Sequence, residues 1–316
     1  MTRIAVCSRS FSRHPILRRE LTDLYPDVTF NDEGRALAGE ELIEFLQGHK
    51  KAVTALETLD ASVFAAVPEL KTVSKYGVGC DSIDLDTMAD AGVKLGWTGG
   101  TNRRSVAELV ISFAVQILRH LPQARAEVLD GVWRQHVGRQ LSERTIGIVG
   151  CGHVGKDLGV LLRAFGCRVL ANDILDFPDF YAKNEIVPVG LEELLRQSDI
   201  VTLHLPLDET TRNILSAERL ALMKPDAMLI NAARGGLVDE TALKGALKDG
   251  RLSGAAFDVF ATEPPEDHEL LNLPNFIVSP HIGGSAEEAI LAMGRAAIEG
   301  LEKNQIPERG VFPDNY

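Results

Sequence analysis

Short apolar runs alternate with amphipathic stretches along most of the chain. The early runs at 3–7, 52–55 and 72–75 predict strands, and the stretches at 14–24 and 40–47 carry helical spacing. Later runs at 145–149, 168–172, 200–204, 228–231, 254–258 and 276–278 predict six more strands. Each is short, apolar and bounded by Gly, Pro, Asn or Asp, as expected of parallel strands buried on both faces with helices as crossovers. The predicted class is α/β.

One long helix interrupts the alternation. Val106, Leu109, Val110, Phe113, Ile117 and Leu121 recur at helical spacing and predict a helix over 105–130. The Gly- and Thr-rich stretch 96–101 before it reads as a hinge. A second crossing is expected at 283–285, before a last helix over 286–304 that packs back onto the first domain. The expected organisation is a discontinuous domain, 1–98 plus 286–316, with a second domain, 99–285, inserted into it.

The 316 residues suffice for two domains, and 45% hydrophobic with 25% charged residues is ordinary for a globular protein. A net charge of −12, with no basic run longer than two residues, argues against a nucleic-acid partner. Four scattered cysteines without CxxC spacing suggest reduced thiols and no metal site. Met1 leads directly into the first strand pattern, and no apolar run approaches the ~18 residues of a membrane span. No membrane partner is expected, and the expected location is cytoplasmic.

The segment Gly150-Cys151-Gly152-His153-Val154-Gly155 follows a predicted strand and opens a helical pattern over 154–165. In that context the first glycine permits a tight turn, the second lets backbone approach a pyrophosphate, and the third lets helix and strand pack closely. Asp173 ends the next predicted strand, 18 residues after Gly155, where an acid holds ribose hydroxyls. Asp173 would repel a 2′-phosphate, and Ile174 and Leu175 supply no cation, so NAD is expected over NADP.

Three later segments each follow a predicted strand and place an Arg, a Glu and a His: 231–235 with Arg234, 257–265 with Glu263, and 279–284 with His281. Residues at the carboxyl ends of strands in an open α/β sheet line its ligand crevice. Taken singly, each also has a plain structural reading, as a loop cation, a turn acid and a helix cap.

Together with 76–84, 102–108 and His204-Leu205-Pro206-Leu207, these segments resemble the D-isomer-specific 2-hydroxyacid dehydrogenases over nearly the whole chain, in the phosphoglycerate dehydrogenase or hydroxypyruvate reductase-like branch. The resemblance implies two doubly wound parallel-sheet domains, Rossmann- or flavodoxin-like, with a cofactor and substrate cleft between them. It implies NAD-dependent interconversion of a D-2-hydroxy acid and its 2-keto acid, with domain 1–98 plus 286–316 as the substrate domain. His281 would be the general acid for reduction and base for oxidation, Glu263 would orient its ring, and Arg234 would pair with the substrate carboxylate. Backbone N–H groups of Val78 and Gly79, in the segment Lys75-Tyr76-Gly77-Val78-Gly79, would cradle the same carboxylate. Ala232 and Asp258 would lie near the nicotinamide, as would His281. His153 and Val154 would meet the pyrophosphate, and Leu205 and Pro206 would flank the adenine side. Thr211, Val106 and Gly284 are further cofactor contacts by resemblance.

Substrate detail stays open at this level. Lys75 either favours a second anionic group on the substrate or ends a strand in solvent; Arg103-Arg104 at the hinge either contributes similarly or starts the long helix from an exposed face. His153 either donates to a phosphate oxygen or is solvated. Trp97 either walls the pocket or belongs to the core. The 105–130 helix resembles the family's dimerisation element, so a homodimer is expected. The chain ends soon after Pro313, which suggests no C-terminal regulatory extension. The alternatives are a phosphite or formate dehydrogenase of the same family, or a dinucleotide-sensing, corepressor-like binding module.

Overall fold

The computed structural model describes residues 2–308. The readings placed on Met1 and Pro313 lie outside them. The chain divides into two compact units: residues up to Asn102 together with those from Ser285 on, and Arg103–Gly284.

The first unit runs β1 (Ile4–Val6), α1 (Arg9–Arg13), α2 (Pro15–Leu24), β2 (Val28–Phe30), α3 (Gly39–Leu46), β3 (Lys51–Thr54), α4 (Ala61–Ala66), β4 (Thr72–Lys75), α5 (Leu85–Asp90) and β5 (Lys94–Gly96). The second runs α6 (Arg103–Leu118), α7 (Leu121–Leu129), β6 (Thr145–Val149), α8 (His153–Ala164), β7 (Arg168–Asn172), α9 (Pro178–Asn184), β8 (Val187–Pro188), α10 (Leu191–Gln197) and β9 (Ile200–Leu203). It continues with α11 (Ala217–Leu220), β10 (Ala227–Asn231), α12 (Glu240–Lys248), β11 (Leu252–Phe257), α13 (His268–Leu271) and β12 (Phe276–Val278). The closing helix α14 (Glu287–Gly300) belongs to the first unit.

The first sheet is ordered β2-β1-β3-β4-β5 and the second β12-β11-β10-β9-β6-β7-β8, with every strand pairing parallel. Both orders reverse direction at an internal strand pair, so both sheets are doubly wound. Parallel strands covered on both faces must be apolar throughout, and they are. In β10, Met228 and Ile230 pack with Val110, Phe113, Ile117 and Leu158, and Leu229 packs with Leu203, Leu243 and Phe257 on the other face.

The expected helix over 105–130 is two helices. Apolar spacing persists through Leu121, but Pro122 has no N–H to bond the carbonyl of Leu118 and disfavours helical backbone at the residue before it. The chain breaks at His120, which takes a left-handed conformation with φ 53°. The carbonyl that Pro122 leaves vacant accepts the N–H of Arg139 at 2.9 Å. Beyond the break Leu121, Val128, Leu129, Trp133 and Val137 are exposed. Among the described residues no helix is long and apolar enough to cross a membrane.

Candidate functional site

In the second sheet the carboxyl-terminal residues of six strands are in register: Asn172, Val149, Leu203, Asn231, Phe257 and Val278 pair in sequence across β7, β6, β9, β10, β11 and β12. One residue further lies a second row: Asp173, Gly150, His204, Ala232, Asp258 and Ser279. Parallel pairing thus brings to one edge segments that the sequence spreads over more than a hundred positions. The direction reversal of this sheet falls between β6 and β9, at Gly150 and His204.

The glycine loop at that point is shaped by different constraints at each position. Gly150 has φ +95°, and a Cβ there would stand 2.5 Å from the His204 carbonyl oxygen. A Cβ on Gly155 would stand 2.1 Å from the Gly150 oxygen, so helix α8 packs on its own entry loop only without one. Gly152 differs: its φ is −75° and a Cβ would meet nothing within 4 Å. Neither backbone nor protein neighbours exclude a side chain at 152, and the open space beside it is available to a ligand. Gly152 caps α8 without any side-chain hydrogen bond, which leaves the first N–H groups and the positive end of a twelve-residue helix toward that space. Asp173 accepts from the Cys151 N–H at 2.6 Å through Oδ2 and from the Leu175 N–H at 2.9 Å through Oδ1, tying the end of β7 to the loop. These features fit a dinucleotide.

Around the loop, Leu205 reaches within 3.0 Å of the position a Gly150 Cβ would take, and Pro206 accepts the Thr211 hydroxyl at 2.8 Å. Thr211 Oγ1 also accepts the Asp208 N–H at 2.8 Å, so its hydroxyl is committed to closing the 206–211 turn. His204 directly follows β9 at the head of this segment. Its Nε2 meets Thr202 Oγ1 at 3.0 Å, and burial pushes the imidazole down to about 3. It stays neutral at physiological pH. Sequence reasoning passed over this histidine except as part of a motif.

The Arg, Glu and His sit on the other half of the edge. Asn231, fully buried, closes the turn after β10: its Nδ2 donates to the Arg234 carbonyl at 2.8 Å and its Oδ1 accepts the Ala233 N–H at 3.1 Å. A Cβ on Gly235 would stand 1.9 Å from the Phe260 carbonyl, so the Arg234 turn lies directly on the segment that leads to Glu263. Glu263 holds its own segment through Oε1, which accepts the Phe260 N–H at 3.1 Å. Its Oε2 meets Nδ1 of His281 at 3.0 Å. His281 has φ 53°, and its backbone N–H donates to the Asp258 carbonyl at 2.8 Å.

Asp258 explains how that strained backbone is held. Its carboxylate is 1% exposed and is filled by the His281 loop: Oδ1 accepts the Ser279 hydroxyl and the Ile282 N–H at 2.8 Å, and Oδ2 accepts the Gly283 N–H at 2.7 Å. Ser105 Oγ donates to the Gly283 carbonyl at 2.6 Å, and Val106 lies against Gly283, with Gly284 next in chain. Asp258 therefore positions the His281 loop, a role that nothing in its sequence neighbourhood announces.

In the first unit, Lys75 is buried at 5% exposure, and its ammonium donates to the Ala55 carbonyl and to Ser82 Oγ at 3.2 Å. The solvent reading of Lys75 is corrected by those partners. The Lys75 ammonium instead spans the turn at 76–82. Tyr76 packs edge-on to Phe11 at 5.4 Å. Trp97 Nε1 donates to the Val78 carbonyl at 2.8 Å, so Trp97 braces the loop. Among the described residues the N–H groups of Val78 and Gly79 find no acceptor. With Gly77 between Tyr76 and these donors, the turn offers two free N–H groups at the carboxyl end of β4.

Residues 111–283 match the family model for the NAD-binding domain of D-isomer specific 2-hydroxyacid dehydrogenases. D-3-phosphoglycerate dehydrogenase of Methanocaldococcus jannaschii is 36% identical over 296 residues, which covers 91% of this chain and 56% of that protein. The chain spans about half the length of that relative. Among solved structures, a glyoxylate reductase from Paecilomyes thermophila superposes with a TM-score of 0.85 at 25% identity, covering 96% of both chains. The D-lactate dehydrogenase of Aquifex aeolicus, complexed with NAD and lactic acid, superposes with a TM-score of 0.83 at 25% identity over 94% of this chain and 93% of the other. A family model that matches more than half of the chain, at the sheet edge just described, decides the assignment: this protein belongs to the D-isomer specific 2-hydroxyacid dehydrogenase family.

Proposed function

We propose that the protein interconverts a D-2-hydroxy acid and its 2-keto acid with NAD, and that the 3.0 Å contact between Glu263 and His281 carries this reading. NAD held at the glycine loop would supply the hydride to the substrate's C2 in its reduced form and accept it in its oxidised form. His281 handles the proton: with Nδ1 engaged by Glu263, its Nε2 is left to donate to, or accept from, the substrate oxygen. Arg234 pairs with the substrate carboxylate through its planar fork and draws charge from the neighbouring carbonyl. The free N–H groups of Val78 and Gly79 are the carboxylate donors of the first unit, which this reading makes the substrate domain; residues 99–285 are then the cofactor domain. The relatives and solved neighbours are named for phosphoglycerate, glyoxylate and lactate, which supports a small 2-hydroxy acid over phosphite or formate. Lys75 supports a substrate with a second anionic group, since a buried ammonium beside the substrate turn raises the local positive potential. The exposed apolar residues beyond the His120 break support a homodimer built on α6 and α7.

The test is a reductive screen at 340 nm over glyoxylate, hydroxypyruvate, pyruvate, oxaloacetate, 3-phosphohydroxypyruvate and 3-sulfopyruvate. Turnover with NADH on at least one acid is expected, strongest where a second anion is present. Because Asp173 repels a 2′-phosphate, KM for NADPH should exceed that for NADH by about tenfold or more. No turnover across the panel would favour the dinucleotide-sensing module instead.

The glycine loop gives a paired prediction. Gly152→Ala should leave Tm nearly unchanged, because no protein atom opposes the new Cβ, yet weaken NADH binding by about tenfold or more. Gly155→Ala should lower Tm by several degrees, since overpacking against backbone costs about 1–3 kcal/mol. Differential scanning fluorimetry and a fluorescence titration read the two effects, and a Gly152→Ala protein with wild-type affinity would refute the ligand role of that space.

A further inference from the structure

Residues 258–267, between β11 and α13, carry neither helix nor strand, and Glu263 lies within them. A backbone without a ladder of its own takes its position from its neighbours, and here the neighbour is one face of α12. Glu240, Lys244 and Lys248 follow one another at four-residue intervals along that helix, so they share a face. All three hold the chain that leads from β11 into α13. Glu240 Oε1 accepts the Ala261 N–H at 3.0 Å. Lys244 Nζ meets Asp267 Oδ2 at 2.8 Å and Glu269 Oε2 at 3.2 Å, and Lys248 pairs with Glu269 as well. The lysine pairs are partly exposed, where an ion pair contributes little, and they fasten the far end of the segment. Glu240 is the anchor beside the chemistry. It starts from a fixed turn, because Asp239 caps α12 by accepting the Ala242 N–H at 2.9 Å.

The bonds around Glu263 show what that anchor controls. Glu263 closes its own turn through Oε1 on the Phe260 N–H at 3.1 Å and reaches His281 Nδ1 through Oε2 at 3.0 Å. The next N–H along, that of Ala261, is the one Glu240 takes. On the other side the Phe260 carbonyl lies so close to Gly235 that a Cβ there would stand 1.9 Å away. That contact stops the turn from moving further toward the Arg234 loop, but it supplies no directed attraction. The bond from Glu240 does, and it is charge-assisted. Resting on the reading that Glu263 orients the His281 ring, we propose that Glu240 is a positioning residue for the Glu263–His281 pair. Its carboxylate sets the 260–263 turn on α12, and the turn sets the reach of Glu263 to Nδ1. Glu240 acts through Glu263 alone.

Single-turnover reduction by the full chain, with NADH and the best acid of the screen, tests the role. Glu240→Ala should lower the rate by about tenfold or more, because a displacement of about 1 Å at a reacting group is costly. Far-UV circular dichroism should be unchanged, and KM for the keto acid and Kd for NADH should stay within about twofold, since the substitution leaves Arg234 and the glycine loop in place. Glu240→Gln keeps the Oε1 acceptor and gives up only its charge, so it should return the rate to within about threefold of wild type. A double-mutant cycle separates positioning from general loosening. With Glu263→Ala there is no carboxylate left to position, so adding Glu240→Ala should change the rate by less than about twofold. A Glu240→Ala protein as fast as wild type, a Glu240→Gln protein as slow as Glu240→Ala, or the full further loss in the Glu263→Ala background each overturns the role. Wild-type turnover in Glu263→Ala alone would instead overturn the reading of Glu263 itself, and the role of Glu240 with it.

Discussion

Replacing His281 by alanine should lower kcat/KM for keto-acid reduction by about a hundredfold or more, the usual weight of a positioned general acid. The size follows from how much structure is devoted to that one ring. Asp258 spends both carboxylate oxygens on the loop and its carbonyl on the His281 N–H, and Glu263 fixes the ring through Nδ1. A hundredfold corresponds to about 2.7 kcal/mol of transition-state stabilisation. The loss should fall on kcat, since the proton moves only in the chemical step, and the Kd for NADH should stay within about twofold. Stopped-flow single turnovers with the best acid of the panel separate the two. Near-wild-type single-turnover rates would remove His281 from the chemistry and leave Glu263 and Asp258 as structural supports of a turn.

Much of this edge was legible in the sequence because strands buried on both faces must be apolar, and here they end together. The runs at 145–149, 168–172 and 276–278 coincide with β6, β7 and β12. The strands that the pattern missed are β2, β5 and β8, of two or three residues at sheet edges. Lys94 is exposed in β5 and Pro188 in β8, so half-exposed edges leave no continuous run to recognise. The helix over 105–130 misled for the opposite reason: apolar spacing carries across His120, and only the local chemistry of Pro122 and the distant N–H of Arg139 break it. Lys75 and Arg104 were ambiguous because their partners are remote in sequence. A buried ammonium on the Ala55 carbonyl, or the Arg104 fork on Asp157, has no signature within a local window. Gly152 shows the converse: its glycine is visible in sequence, but only the structure separates it from Gly150 and Gly155, which the fold itself requires.

Arg234→Ala should also lower kcat/KM by about a hundredfold or more, but with a different division between binding and chemistry. The half-buried guanidinium stands on a turn that is held from two sides, by the Asn231 side chain and by the contact of Gly235 with the Phe260 backbone. Its Nη1 donates to the Ala233 carbonyl at 2.7 Å, which braces one arm of the fork within its own turn. A substrate carboxylate that loses this partner forfeits charge-assisted hydrogen bonds worth about 1.5–3 kcal/mol, enough for a hundredfold. Because the proposed carboxylate contact exists in the ground state as well, KM for the keto acid should rise; because the proposed role also has the cation draw charge from the carbonyl, kcat should fall too. Arg234→Lys restores the charge without the planar fork, so it should recover KM more than kcat. NADH affinity should be unaffected in both. If Arg234→Ala raised KM for the cofactor and left the keto acid's parameters intact, the arginine would belong to the dinucleotide site, and the carboxylate would have to be held by the Val78 and Gly79 N–H groups without it.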